Sequence, residues 1–408
     1  MPPATKPLTV RQFFGRKGLL SEWHPNYEFR DGQLGMAEAV ESALAEKKHL
    51  IAEAGTGTGK TLAYLVPAIL SGKRIVISTG TKNLQEQLFF KDIPFLEQHL
   101  GQLRACYMKG RANYACRQKI YDAEKEPILD GLEEIADFRV IREWEKTTET
   151  GDRAEIKTLP ESNTAWAKID ARSELCSGQK CPQFERCFIT RMHQKAQESD
   201  LIIVNHHLFF ADLAVKGGPV GSEGGGIIPD YGAVIFDEAH DIEDVAGQYF
   251  GTSVSTYQFE ELVRDVASLA HRKNFGSREL DRILMILGER SAHFFTLFGA
   301  SDGRSGFRSH EAFLMKHEEA YRDILAALEI VALQLELLRA APEEAIPLVN
   351  RAREIARRLQ FWMESNDKAY VYWIEKRGRG TFLQATPIDV SGLLDEKLFD
   401  AIDTAVLT

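Results

Sequence analysis

The sequence predicts an α/β fold, a doubly wound parallel sheet interrupted by two long insertions, the first of short helices and loops and the second all-helical. Three observations predict it. A glycine-rich loop, Ala54-Gly55-Thr56-Gly57-Thr58-Gly59-Lys60-Thr61, stands between a short apolar run and an apolar helix. Short β-branched runs alternate with helical patterns around it, as in a chain of βαβ units. An acidic box, Asp237-Glu238-Ala239-His240, closes one of these runs far downstream, and Cys116, Cys176, Cys181 and Cys187 lie between loop and box.

The elements follow in order. Leu34, Ala37, Val40 and Leu44 recur at helical spacing, and Leu50-Ile51-Ala52 is a short strand leading into the loop. The loop glycines allow several backbone N–H groups to converge on phosphate oxygens, and the helix over Leu62 to Leu70 points its positive end at the same anion. Lys60 is then placed for the β- and γ-phosphates and the Thr61 hydroxyl for Mg²⁺. Arg74 to Thr79 is a β-branched strand, followed by a helix from Asn83 to Phe90; Leu201 to Val204 and Ala233 to Phe236 are further parallel-type strands. An acid at the carboxyl end of such a strand holds the metal in this arrangement, so Asp237 is the metal-side carboxylate and Glu238 is placed to orient or deprotonate the attacking water.

Between these strands, about Cys106 to Ser199 carries no strand run and reads as short helices and loops, with a charged stretch at Leu132 to Lys146; Lys216 to Gly226 is a glycine-rich loop. From Thr256 to Ser365 apolar residues recur at helical spacing, at Phe259, Leu262, Val266 and Leu269, at Leu314 to Leu338, and at Leu348, Ala352, Ile355, Leu359 and Trp362. Arg351, Arg353, Arg357 and Arg358 form a charged face there, most simply a solvated one. Ala369 to Ile374 and Thr381 to Leu383 return to strand-like composition, and Thr404 to Thr408 begins another core strand.

Four thiolates hold either tetrahedral Zn²⁺ or a [4Fe–4S] cluster. No C-x₂-C pair is present, and the wider gaps, with Pro182 after the third ligand, lean towards the larger cluster while leaving zinc open; independent buried thiols are the remaining reading. Cys106 reads as a core residue.

Bulk numbers bound the rest. A chain of 408 residues holds two to three domains, and 44% hydrophobic with 27% charged residues is ordinary globular composition. A net charge of −10 excludes a wholesale electrostatic nucleic-acid binder but not a local basic groove. No apolar stretch reaches membrane-spanning length, no secretory core follows the N-terminus, and five cysteines beside a nucleotide loop suit a reducing compartment, so the chain reads as cytoplasmic, an organelle transit peptide being the lesser reading.

With these motifs in place the chain resembles the XPD/DinG family of iron–sulfur superfamily 2 helicases, in its bacterial DinG/YoaA-like branch. The resemblance is carried by Phe29-Arg30 and Gln33, Glu53 to Thr61, Ser78 to Leu88, Lys109 to Cys116 (KGRANYAC), the three later cysteines, Val204 to Phe210 (VNHHLFF) and Asp237 to His240. It implies a RecA-like P-loop motor lobe in pieces: 1–103 with the phosphate loop, 201–244 with the DEAH segment and 369–408 as the return. A helical iron–sulfur insertion at 104–200 and an all-helical arch at 245–368 interrupt it. It also implies ATP, Mg²⁺ and a [4Fe–4S] cluster on Cys116, Cys176, Cys181 and Cys187. Arg30 and Gln33 would lie near the adenine, and Thr79, Thr81 and Lys82 along single-stranded or forked DNA. Arg111, Tyr114, Asn205 and His206 are further strand contacts, Tyr114 either stacking on a base or packing beside the cluster. Movement 5′ to 3′ and protein partners in repair or replication complete what the resemblance implies. Family members continue with an S-A-T motif and a second motor lobe carrying a charge-stabilising arginine, typically worth roughly 10³–10⁵ in rate, about 4–7 kcal/mol. The sequence stops at Thr408, so half a motor is expected, as a fragment or completed by another polypeptide. Two other classes compete: a nucleotide-responsive single-stranded DNA-binding module without motor activity, and a DEAH-type RNA helicase with a zinc site.

Overall fold

The computed structural model describes residues 8–23, 27–55, 57–125, 131–160, 163–172, 176–216, 226–299, 302–338, 342–364 and 367–408. Ten strands run through them: β1 (Leu50–Ile51), β2 (Ile75–Thr79), β3 (Ala105–Tyr107), β4 (Leu201–Asn205), β5 (Ala233–Phe236), β6 (Thr252–Ser255), β7 (Gly303–Gly306), β8 (Tyr370–Arg377), β9 (Gly380–Pro387) and β10 (Thr404–Leu407). The chain divides into two compact units, Met1–Ala171 with Pro182–Ala246 and Ser391–Thr408, and Arg172–Cys181 with Gly247–Val390.

The first unit is built on a six-stranded, all-parallel sheet in the order β1-β10-β5-β2-β4-β3. Every residue of β2 and β5 is buried, the signature of strands covered on both faces, which is why they read as unbroken apolar runs. On one face the helices Asp31–Glu46 and Lys60–Leu70 pack through Val40, Leu44, Tyr64 and Leu65, with Phe13 and Phe14 of the N-terminal helix Val10–Phe14. That short helix starts on a capping box in which the Thr9 hydroxyl accepts the Gln12 N–H and the Gln12 side chain accepts the Thr9 N–H. Because all six strands run the same way, their carboxyl ends share one edge. The phosphate loop, Thr81, Lys109, Asn205, Asp237 and Thr408 all lie just beyond those ends.

One expectation for 104–200 changes. Ala105–Tyr107 is a strand, pairing with Leu201–Ile203 at the sheet edge, so the helical segment begins later than residue 104. It is too short, and too exposed at its ends, to show a pattern. The charged stretch is one helix, Gly131–Glu145, whose Phe138 and Ile141 join Ile120, Trp166, Ile169 and Phe188 in a small core.

The second unit holds the helices Thr256–Arg272, Arg278–Thr296, His310–Glu336 and Ala345–Glu364, whose apolar faces form one core including Phe259, Leu262, Leu328, Leu359 and Trp362. It is not all-helical. A four-stranded antiparallel sheet in the order β6-β9-β8-β7 packs with the helices, so 245–368 contributes two strands, and β8 and β9 pair there rather than with the parallel sheet. Only Ser391–Thr408 returns to the first unit. The physical reason is visible in β8: Tyr372 and Ile374 are buried while Val371 is 50% exposed, the alternation of a sheet with one wet face. β7 reads Gly-Arg-Ser-Gly, is exposed throughout and has no strand propensity to detect. Among the described residues no helix is long and apolar enough to cross a membrane.

Candidate nucleotide-binding site

The phosphate loop leaves β1 and turns into the helix Lys60–Leu70 through Gly57 (φ +77°) and Gly59 (φ +82°), left-handed conformations that favour glycine. At Gly59 a Cβ would also lie 2.2 Å from Gln33 Nε2. Gln33, 6% exposed, donates from that nitrogen to the Gly59 carbonyl at 3.1 Å, and the Arg30 guanidinium donates to the Gly57 carbonyl. The loop is braced within itself by the Thr58 hydroxyl on the Gly55 carbonyl at 2.9 Å. A cavity of 310 Å³ opens beside it, lined by Gly32, Gln33, Ala54, Thr58 and Lys60 among others. Thr56 lies outside the described residues.

Across the edge, β5 delivers the acidic box. Asp237 is 6% exposed and its N–H bonds the Ser78 carbonyl at 2.8 Å. Its Oδ2 accepts from the Tyr64 hydroxyl at 3.2 Å and its Oδ1 from the Thr408 hydroxyl at 3.4 Å. Burial, and then the neighbouring Glu238, push the Asp237 carboxyl above the usual range. Glu238 takes a left-handed backbone (φ 57°, ψ 51°), a local cost of about 1–3 kcal/mol of the kind concentrated at functional turns. Its Oε1 lies 3.5 Å from Lys60 Nζ, so the loop lysine and the box glutamate meet although 178 residues separate them. His240 faces Glu238 Oε2 and Asp241 Oδ1, each at 3.5 Å. Thr61 and Asp237 offer a hydroxyl and a carboxylate, hard oxygen donors of the kind Mg²⁺ takes, and the site fits that ion.

The residues assigned to a nucleic-acid strand divide. Thr81 and Lys82 are exposed at the start of the helix Lys82–Gln87, where the Thr81 hydroxyl accepts the Leu84 N–H at 3.3 Å. Thr79 is buried with its hydroxyl on the Thr81 carbonyl at 3.1 Å; Arg111 donates to the Ala171 carbonyl at 2.8 Å; Asn205 accepts the Leu208 N–H at 2.9 Å. Two are buried. Tyr114 is 3% exposed, packed with Ala171, Ile189 and Cys116, and its hydroxyl accepts the Lys109 N–H at 3.1 Å, the packed of its two alternatives. His206 is fully buried, with Nδ1 2.6 Å from Ser78 Oγ; it supports the strand ends from behind rather than facing a strand of DNA. The arginines of the last helix are neutralised locally, Arg351 by Asp265 and Glu261, Arg353 by Glu336 and Glu329, Arg357 and Arg358 by Glu354.

The cysteines are not gathered within either unit. Cys116 and Cys187 belong to the first, packed near Tyr114 and Met192, while Cys176 and Cys181 belong to the second. None is in a disulfide, and among the described residues no group of three or more His, Cys, Asp or Glu side chains is placed to hold a metal. Four free thiols, two in each unit, are the soft donors such a cluster takes.

Sequence reasoning missed Tyr64 and Thr408 as partners of Asp237. The available signal was a hydroxyl on an otherwise apolar helix, one turn after Lys60.

A parallel sheet with a phosphate loop and an acidic box meeting at its carboxyl edge defines the nucleotide-binding lobe of a P-loop enzyme. Comparison with known proteins narrows this. Residues 36–147 match the DEAD/DEAH box helicase family. The chain is 34% identical over 390 residues to the ATP-dependent DNA helicase YoaA of Haemophilus influenzae, covering 94% of this chain and 59% of that protein. It is 33% identical over 392 residues to YoaA of Escherichia coli, covering 94% and 60%. With the ATP-dependent helicase DinG of Mycobacterium tuberculosis it shares 32% identity over 238 residues, 53% of this chain and 34% of that one. The solved chain named Truncated XPD is a distant likeness only, at 14% identity and a TM-score of 0.42 over 91% of this chain and 92% of that one. These likenesses support a helicase of the DinG/YoaA kind, and the chain spans about three-fifths of the length of the two YoaA relatives.

Proposed function

We propose that this chain is the nucleotide-binding motor lobe of an ATP-dependent DNA helicase of the DinG/YoaA kind. The observation that carries the proposal is the meeting of Lys60 and Glu238 at 3.5 Å beside the cavity, with Thr61 and Asp237 alongside. The loop N–H groups and the start of the helix Lys60–Leu70 hold the phosphates. Lys60 exchanges Glu238 for the γ-phosphate, which frees the Glu238 carboxylate to orient the attacking water and accept its proton. Thr61 and Asp237 would hold Mg²⁺, which would supply positive charge against the phosphates.

The same proposal extends to DNA. Thr81 and Lys82, exposed at the strand edge, are positioned to meet a phosphate backbone. A Cβ on Gly80 would stand 2.8 Å from Asp241 Oδ2, so the Thr79–Thr81 turn abuts the acidic box and a strand held there is felt at the nucleotide. A [4Fe–4S] cluster on the four cysteines is part of the reading, supported by their number and order, and movement 5′ to 3′ enters through the family resemblance alone. The test is ATP hydrolysis with and without single-stranded DNA, in the chain and in Lys60→Ala and Glu238→Gln. DNA-stimulated hydrolysis lost in both variants supports the proposal; nucleotide binding indifferent to Lys60 contradicts it.

A further inference from the structure

The phenol of Tyr64 reaches the carboxylate assigned to Mg²⁺. Tyr64 follows Lys60 by one turn and is fully buried. Its hydroxyl donates to Asp237 Oδ2 at 3.2 Å. Its ring packs in the apolar core with Ala63, Leu65 and Val66 of its own helix. A phenylalanine would fill that space equally well, so packing does not call for the hydroxyl. A buried hydroxyl is costly unless partnered, and here its partner is the metal-side carboxylate.

From this contact we infer that Tyr64 is a positioning residue for nucleotide-bound Mg²⁺, its phenol holding the Asp237 carboxylate in a preset orientation before the ion arrives. The inference rests on the ATP-site reading above. Mg²⁺ demands near-ideal octahedral geometry and tolerates a displaced ligand poorly. Groups that orient a metal's ligands without touching the metal are typically worth 10–100-fold in affinity. The Thr408 hydroxyl holds Asp237 Oδ1, so Oδ2 is left to the Tyr64 phenol.

The experiment is a titration of a fluorescent ADP analogue into the chain and into Tyr64→Phe, first in EDTA and then over a Mg²⁺ series. The variant is expected to need about tenfold more Mg²⁺ for the half-maximal gain in affinity, with its affinity in EDTA unchanged. The EDTA arm also reports that the variant is folded. Equal Mg²⁺ midpoints overturn the inference. So does a parallel loss in EDTA, which marks a purely structural tyrosine. A wild-type chain that binds the analogue without responding to Mg²⁺ removes the ATP-site reading itself, and the inference with it.

Discussion

Replacing Lys109 with Met is expected to loosen the join between the parallel sheet and the segment that carries Cys116. Lys109 follows β3, and its side chain is only 3% exposed. Its ammonium lies 2.7 Å from Asp152 Oδ2, on a side chain 2% exposed, and 2.7 Å from Glu86 Oε1, on one 37% exposed. The Glu86 arm adds little, because solvent screens it. Asp152 is different. Without the ammonium it keeps only neutral donors, the Tyr107 hydroxyl at 3.0 Å and the Ala154 N–H at 3.0 Å. Removing one partner of a buried ion pair costs about 3–5 kcal/mol, a factor of roughly 150 to 5,000 in the opening constant. A global melt would mix the two units, so the local readout is amide hydrogen exchange. Met108, Ala115 and Ala171 report it, their N–H groups bonding the carbonyls of Ile203, Gly151 and Tyr114 at 2.8, 3.0 and 2.8 Å. Lys109→Met should accelerate these three while leaving Phe307, bonded to Tyr372 in the second unit, unchanged. Adding Asp152→Asn should recover most of the loss. Acceleration below tenfold, or equal acceleration at Phe307, would refute the reasoning.

Three further outcomes are expected. Gly59→Ala must hold an alanine at φ +82°, a strain of roughly 1–2 kcal/mol, and displace Gln33 from the Gly59 carbonyl, so the dissociation constant for the ADP analogue should rise at least tenfold. His206 is held below its usual pKa of 6.5 by burial, so the unfolded chain binds a proton that the folded one refuses; its contribution to stability is complete above about 6.5 and is lost as pH falls from there towards the lowered value. Urea midpoints at pH 7.5 and 5.5 should therefore diverge less in His206→Gln than in wild type, and an unchanged divergence would count against it. Chemical analysis of anaerobically purified chain should find about four iron and four sulfide, reduced in Cys181→Ser; zinc without sulfide would replace the cluster with the tetrahedral alternative.

What the sequence revealed follows from how local each signal is. β2, β4 and β5 announced themselves because strands covered on both faces must be apolar throughout. The phosphate loop was legible because its glycines answer a backbone requirement within eight residues. The antiparallel sheet was less so: β8 and β9 have strand composition, but their partners β6 and β7 are short, and β7 is glycine and polar residues only. The family resemblance alone makes Tyr114 and His206 strand contacts, with base stacking the physical reason for Tyr114. Whether a ring faces solvent depends on long-range packing, here Ala171 and Ile189 for one and Ser78 for the other. The Tyr64–Asp237 contact joins residues 173 apart and has no local signature.

The central claim is that Lys60 and Glu238 serve one hydrolytic site coupled to DNA. Its most direct test is the rate of phosphate release by the chain, with and without single-stranded DNA, beside Lys60→Ala and Glu238→Gln. The account predicts that Glu238→Gln keeps the ADP-analogue affinity while losing at least a hundredfold in DNA-stimulated turnover, and that Lys60→Ala loses both. DNA-stimulated turnover that survives in Glu238→Gln would contradict it.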